Sequence, residues 1–128
     1  MSKKRNNELL KKAEEALRKT EYVDILNNET IKDSYKGQTA ALGVTIAMSG
    51  LRPALAIYQK KTDECDKLQI LNAIAVMMGI NQIDAGKKLF SDVMKCDDVN
   101  QLNNYKRNII DCSIALKQII QTYKLVKL

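Results

Sequence analysis

Residues 40–61, AALGVTIAMSGLRPALAIYQKK, contain two apolar segments that are separated at Gly50. From Ala40 to Met48 nearly every residue is apolar or small, which is typical of a helix buried on all sides. Gly50 favours the end of that helix, because glycine adopts a positive φ without a Cβ clash. Pro53 suits the first turn of the next helix, where its missing N–H is not needed. We therefore predict two buried helices that meet at Gly50.

Gly43 lies inside the first of these helices, where glycine costs about 1 kcal/mol relative to alanine. We expect this cost to reflect a second backbone that packs very close to Gly43.

The composition of the whole chain favours helices. Its 128 residues include one proline and five glycines, and a chain of this length can bury a substantial core unaided. We predict an all-α fold, a compact bundle of about six helices, in a single domain spanning residues 1–128 with a disordered basic N-terminus at residues 1–5. Asn6 or Asn7 is expected to cap the first helix. The predicted ranges are about 8–26, 29–49, a short helix with Pro53 in its first turn, 64–78 capped by Asp63, 82–95 and 99–124.

The segment around Gly50 also carries a recognisable pattern: a tyrosine, an apolar helix, a Gly-Leu-x-x-Ala-Leu-Ala motif and a basic end. The residues of the pattern are Tyr35, Gly50, Leu51, Ala54, Leu55, Ala56, Lys60 and Lys61. It resembles the small α-helical subunit of the type III-B CRISPR effector, the Cmr complex. That family usually has a Phe where this chain has Ile57, and the match covers residues 32–61.

The resemblance implies a non-catalytic subunit of an RNA-guided, RNA-targeting complex in antiviral defence. Such a subunit would contact the backbones of the guide RNA and the target RNA without reading their sequence. Its partners would be other Cmr effector subunits and additional copies of itself. Cleavage and cofactors would belong to other subunits.

Charge is segregated along the chain, whose net charge is +6. Residues 32–61 and residues 99–128 each carry five basic groups and one acidic group. Residues 62–98 carry four basic and seven acidic groups. Two basic segments therefore flank an acidic one, which indicates a polyanionic partner. Ordinary solvated helix faces are the alternative interpretation.

Two basic stripes are candidate phosphate contacts. Lys32 and Lys36 follow one face of the second predicted helix together with Thr39 and Gly43, an arrangement that suits a phosphate chain. Lys106, Lys117 and Lys124 lie within about 20° of one another around the last predicted helix. The predicted RNA-binding residues are Lys32, Lys36, Arg52, Lys60, Lys61, Lys106, Lys117 and Lys124.

Arg52 lies in the tight turn between Gly50 and Pro53, where its guanidinium can match phosphate oxygens. Its alternative role is to satisfy the carbonyl groups at a helix C-terminus. In the acidic segment, Asp84 and Asp92 are predicted protein-interface residues that meet a basic face of the next copy.

Catalytic chemistry is not indicated. The sequence contains no histidine, the commonest general base and metal ligand, and no Gly-rich phosphate loop. Asp97 and Asp98 are expected to serve as loop and cap residues. The three separated cysteines are expected to be buried hydrophobes in a reducing cytoplasm. We predict no enzyme activity, no catalytic or metal-binding residues and no cofactor.

The N-terminus lacks the apolar region of a signal peptide, and the apolar runs are too short to span a bilayer. We expect a cytoplasmic protein without membrane contact. Two other functions fit the residues alone: a helical protein–protein adaptor that does not bind nucleic acid, and a small DNA-binding regulator.

Overall fold

A computed structural model describes residues 1–62 and 65–127 of the chain. The described residues form six helices and three short strands. The helices are α1 (Lys3–Arg18), α2 (Asp33–Ser49), α3 (Leu51–Ile57), α4 (Lys67–Met77), α5 (Ala85–Lys95) and α6 (Val99–Ile120). The strands are β1 (Leu26–Asn27), β2 (Thr30–Lys32) and β3 (Lys124–Val126). The predicted bundle of about six helices is confirmed, although the fold is mostly rather than entirely helical, because a small three-stranded sheet accompanies the helices.

The first helix starts earlier than we predicted. It begins at Lys3, inside the segment expected to be disordered, and the Ser2 hydroxyl caps it by accepting a hydrogen bond from the Arg5 N–H at 3.1 Å. Asn6 and Asn7 are therefore not the cap residues. Serine at the N-cap satisfies one of the free N–H groups of a first helical turn.

The three strands form one sheet in the order β1-β2-β3. β1 pairs with β2 in antiparallel orientation, and β2 pairs with β3 in parallel orientation, so segments from the first and last thirds of the chain meet here. The predicted helix over 29–49 is consequently wrong at its start, where β2 stands. The predicted last helix is wrong at its end, because α6 stops at Ile120 and Lys124 belongs to β3.

The core is built around α4. Its residues from Ile70 to Met77 are all buried, and the helix packs against α1, α5 and α6. The Asp66 carboxylate caps α4 by accepting a hydrogen bond from the Leu68 N–H at 3.1 Å. The cap that we predicted, Asp63, lies outside the described residues.

Gly50 behaves as the sequence predicts. Its φ of 90° ends α2, and its N–H donates to the Ile46 carbonyl at 2.8 Å. The close backbone approach expected at Gly43 is wrong, because a Cβ built there meets no atom within 4 Å. Gly86 of α5 is a residue that has such an approach, with the Leu71 Cβ only 2.8 Å from the position of an added Cβ.

Candidate nucleic-acid interface

The small sheet brings together lysines that are far apart in the sequence. In the parallel pair, Lys32 lies opposite Val126 and Thr30 lies opposite Lys124. Successive strand residues point to opposite faces, and cross-strand partners share a face. Lys32 and Lys124 therefore lie on the same face, while Ile31, on the other face, is fully buried in the core.

Two further lysines lie at the same end of the molecule. β2 runs directly into α2, and α6 ends shortly before β3, so the start of α2 lies beside the end of α6. Lys36 is in the first turn of α2, and Lys117 is in the last turn of α6. We call Lys32, Lys36, Lys117 and Lys124 the sheet-end lysines. Four of the eight predicted RNA-binding residues thus converge.

The sheet-end lysines form no ion pair with an acidic side chain among the described residues. The ion pairs of the described residues are Arg5–Asp111, Arg18–Glu14, Arg18–Glu29 and Lys88–Asp92. None of these four pairs includes a sheet-end lysine. Their ammonium groups are therefore not neutralised by a neighbouring carboxylate within the part of the chain that the structure describes.

Lys106 and Arg52, two further predicted RNA-binding residues, line a shallow depression together with Leu51 and Leu102. The Arg52 guanidinium donates hydrogen bonds to the Cys96 carbonyl at 2.5 Å and the Val93 carbonyl at 3.4 Å. These groups belong to the C-terminal end of α5, where carbonyls lack partners within the helix. The alternative role that we gave to Arg52, satisfying helix C-terminal carbonyls, is confirmed.

Lys60 and Lys61 follow α3 and are exposed. The backbone of Lys61 pairs with that of Asp66 in an isolated bridge. The Asp66 N–H also donates a hydrogen bond to the Tyr35 hydroxyl at 3.4 Å, which links this segment to the first turn of α2.

A groove between α2 and α6, which we call the α2/α6 groove, is a feature that we did not predict from the sequence. It has a volume of about 360 Å³, and Thr39, Gly43, Val44, Ile114 and Lys117 are among its lining residues. The Thr39 hydroxyl oxygen is buried and has no hydrogen-bond partner among the described residues. The groove lies beside the sheet-end lysines, since Lys117 belongs to both.

The exposed side of α2 explains why the groove was not predicted. We expected the apolar stretch Ala40–Met48 to be buried on all sides, which is wrong. Val44 is 59% exposed and Met48 is 83% exposed, whereas Leu42 and Ile46 are buried. An apolar composition does not distinguish a buried helix from one whose apolar outer face remains uncovered. The placement of Thr39 and Gly43 on one stripe was the only signal of this site in the sequence.

Comparison with known proteins identifies the family. The family model described as "CRISPR-associated protein (Cas_Cmr5)" matches residues 1–123. The chain belongs to the Cmr5 family. The resemblance first drawn from residues 32–61 is thereby confirmed over nearly the whole chain, and it makes the chain a subunit of a Cmr effector complex with other subunits.

A solved structure agrees with the Cmr5 fold. The crystal structure of a CRISPR-associated Cmr5 family protein from Thermus thermophilus matches with a TM-score of 0.71 and 18% sequence identity. The match covers 94% of this chain and 97% of that one. At this identity the likeness concerns the fold alone. No curated protein sequence matches the chain.

The predicted interface carboxylates of this Cmr5-family chain lie on and near α5. Asp84 is exposed, precedes α5 and has a positive φ of 55°. The Asp92 carboxylate accepts a hydrogen bond from the Lys88 ammonium at 2.7 Å, which raises the pKa of Lys88. Asp84 is thus free of a side-chain partner among the described residues, whereas Asp92 is neutralised by its neighbour.

The tyrosines and cysteines are mainly structural. Tyr35 and Tyr58 are buried, and the Tyr58 hydroxyl donates to the Gln38 carbonyl at 2.6 Å. The three cysteines are buried, as predicted, and burial raises the pKa of Cys112 to about 11. Asp98 caps α6 by accepting hydrogen bonds from two backbone N–H groups, which confirms its predicted cap role.

The described residues lack the side-chain clusters that bind metals. In residues 1–62 and 65–127, no group of three or more acidic or cysteine side chains could hold a metal ion. No helix within these residues has the length and apolar character needed to cross a membrane.

Proposed function

We propose that this chain is a non-catalytic Cmr subunit that contacts the sugar–phosphate backbones of the guide RNA and the target RNA through the sheet-end lysines. One observation carries the proposal. Two segments distant in sequence, around Lys32 and around Lys124, are joined by parallel strand pairing so that both lysines lie on one face. Lys36 and Lys117 extend this positive surface along the adjoining helices.

The chemistry of this surface suits phosphate rather than base recognition. A lysine ammonium is a flexible point charge that attracts phosphate oxygens without a fixed geometry. Phosphate contacts position a nucleic acid and carry no sequence information directly. A subunit that binds any guide sequence needs this kind of contact. The lack of ion pairs at these lysines, among the residues that the structure describes, supports it.

The salt dependence of RNA binding tests the proposal. We expect a Lys32/Lys36/Lys124 triple alanine variant to bind single-stranded RNA more weakly, because each lost phosphate contact reduces counterion release. The slope of log K against log salt should fall in magnitude by about 0.7–0.9 for each true contact. Lys11, Lys87 and Lys95 are exposed and lie on α1 and α5, outside the sheet. Their triple alanine variant is a control of equal charge.

Three results would contradict the RNA contact. A wild-type slope in the sheet-end variant would show that these lysines do not touch phosphates. An equal loss in the control variant would show that only net charge matters. If the wild-type protein fails to bind RNA even at low salt, the protein–protein adaptor becomes the better interpretation.

We also propose that two copies of the chain contact each other, with the acidic segment of one copy against a basic face of the other. Residues 62–98 have an excess of acidic groups, and Asp84 is exposed there without a side-chain partner among the described residues. A contact between this segment and the basic face of a second copy would be heterologous, which builds open filaments rather than closed dimers. An Asp84→Asn/Asp92→Asn variant should then sediment as a smaller species than wild type at equal concentration. Identical sedimentation of the two proteins would contradict this contact.

A further inference from the structure

The α2/α6 groove has two features that its position in the fold does not require. Thr39 is 1% exposed, yet its hydroxyl has no hydrogen-bond partner among the described residues. A buried hydroxyl without a partner costs free energy that a bound polar group could recover. Gly43 leaves the helix backbone bare at the groove, since a Cβ there meets nothing within 4 Å.

The walls and the rim of the groove differ in chemistry. Val44 and Ile114, which are 59% and 42% exposed, supply apolar walls. Gln118 and Lys117 also line the groove and supply an amide and an ammonium group. Among the described residues, no aspartate or glutamate lines it. The groove therefore suits a flat apolar surface that has polar atoms at its edge and a negative charge next to it.

We propose that the α2/α6 groove binds one unstacked base of a single-stranded RNA whose phosphates lie on the sheet-end lysines. This inference rests on the proposed RNA contact and extends it from the phosphates to a base. The base faces would contact Val44 and Ile114, and its edge would hydrogen-bond with the exposed Gln118 amide and, after rotation of the Thr39 side chain, with the buried Thr39 hydroxyl. The volume of about 360 Å³ is at the lower end of the range for ligand pockets, which fits a single base.

A protein side chain is the competing occupant, and its chemistry fits less well. An aliphatic side chain would cover the apolar walls but would leave the Thr39 hydroxyl without a partner. A base has hydrogen-bond donors and acceptors on its edges as well as apolar faces. Unstacked bases of single-stranded RNA are also the form that proteins commonly bind. Lys117, which lines the groove, favours the negatively charged polymer over a neutral peptide segment.

Gly43 and Gly37 provide a matched pair of variants. Both are in α2, and an added Cβ meets no atom within 4 Å at either position. Gly43 lines the groove and Gly37 does not. Gly43→Leu should therefore fold and fill the groove, while Gly37→Leu should fold and leave it open. Thr39→Val removes only the unpaired hydroxyl.

The test compares a short single-stranded RNA with an abasic oligomer of the same length, using fluorescence anisotropy. We expect wild type and Gly37→Leu to bind the RNA about tenfold more tightly than the abasic oligomer, as for other single-base contacts. Gly43→Leu should lose this difference, and Thr39→Val should reduce it. Binding of the abasic oligomer should be equal in all four proteins.

Other outcomes separate the two proposals. Equal affinity of wild type for the two oligomers, with a salt slope that still depends on the sheet-end lysines, would overturn the base site and leave the phosphate contact intact. No binding of either oligomer would overturn both. If Gly43→Leu binds RNA as wild type does but sediments as a smaller species, the groove receives a protein segment and the base site is wrong.

Discussion

The Asn72 side-chain oxygen accepts a hydrogen bond from the backbone N–H of Gly86 at 2.7 Å, and both residues are buried. This bond joins α4 to the first turn of α5 in the core. The two helices approach so closely that a Cβ added at Gly86 would lie 2.9 Å from the Asn72 backbone nitrogen. The contact fixes α5 against the central helix α4.

We predict that Gly86→Ala lowers the free energy of unfolding by about 1–3 kcal/mol, since overpacking of a core forces backbone shifts. Urea denaturation monitored by circular dichroism measures the change. Gly43→Ala is the control, because its Cβ enters open space. That variant should gain about 1 kcal/mol from the higher helix propensity of alanine. If both variants lose stability equally, the close approach at Gly86 is not the cause.

Gly43 and Gly86 illustrate a feature that could not be predicted from the sequence. Both stand inside helices, and from the sequence we predicted the close approach at the wrong one. Propensity says that a helical glycine is costly but does not say what lies opposite its missing side chain. Gly50, whose positive φ is required by the local chain reversal, was predicted correctly because its cause is local.

The sheet was missed for a related reason. Residues 30–32 and 124–126 pair across nearly the entire chain, and each strand has only three residues. Neither segment has an alternation long enough to indicate a strand. The prediction of six helices succeeded because amphipathic periodicity is local. The pairing that joins Lys32 to Lys124 depends on tertiary packing. The sequence placed these lysines on two separate helices, so their common face on a sheet was not predicted.

The second prediction concerns the contribution of Arg52 to stability. Because its guanidinium donates to two carbonyls at the end of α5, Arg52→Ala should lower the free energy of unfolding by about 1.5–3 kcal/mol. Arg52→Lys should recover only part of it, since an ammonium lacks the planar fork that spans two acceptors. Thermal denaturation of the three proteins measures the effect. A variant as stable as wild type would show that these hydrogen bonds contribute little.

Two buried tyrosines predict a loss of stability in alkaline solution. Burial raises the pKa of Tyr35 and Tyr58 from 10.0 to about 12. The unfolded chain thus releases these protons near pH 10, while the folded chain holds them until about pH 12. Below pH 10 these two tyrosines should not change the free energy of unfolding. As the pH rises from about 10 to about 12, their ionisation in the unfolded chain should lower it.

Tyr58→Phe isolates the contribution of one tyrosine. The variant lacks the hydroxyl bond to the Gln38 carbonyl and should lose about 1 kcal/mol at neutral pH. Its stability should then fall less steeply than that of wild type above pH 10. Urea midpoints at a series of pH values test this. Parallel curves for wild type and Tyr58→Phe would contradict a raised pKa at this residue.

The last prediction concerns the attachment of β3, which carries Lys124. The Tyr123 hydroxyl, one residue before the strand, lies 2.7 and 2.8 Å from the two Glu14 carboxylate oxygens, and the Arg18 guanidinium lies 5.5 Å from the Tyr123 ring centroid. These contacts tie the end of the chain to α1. Tyr123→Phe keeps the ring and removes only the hydroxyl, so we expect the free energy of opening of β3 to fall by about 1 kcal/mol.

Hydrogen exchange measures that local opening. The β3 amides that are hydrogen-bonded to β2 should exchange about fivefold faster in Tyr123→Phe, which is the factor that corresponds to about 1 kcal/mol. Amides of α4 that exchange through global unfolding should accelerate by the same factor, because the unfolded chain lacks this hydrogen bond as well, while amides that exchange through local openings that keep Tyr123 beside Glu14 should be unchanged. Since Lys124 is held opposite Thr30 only while β3 is paired, a looser strand should also weaken RNA binding slightly without altering its salt slope. Unchanged exchange in β3 would show that strand pairing, and not the Tyr123–Glu14 hydrogen bond, holds Lys124 beside Lys32.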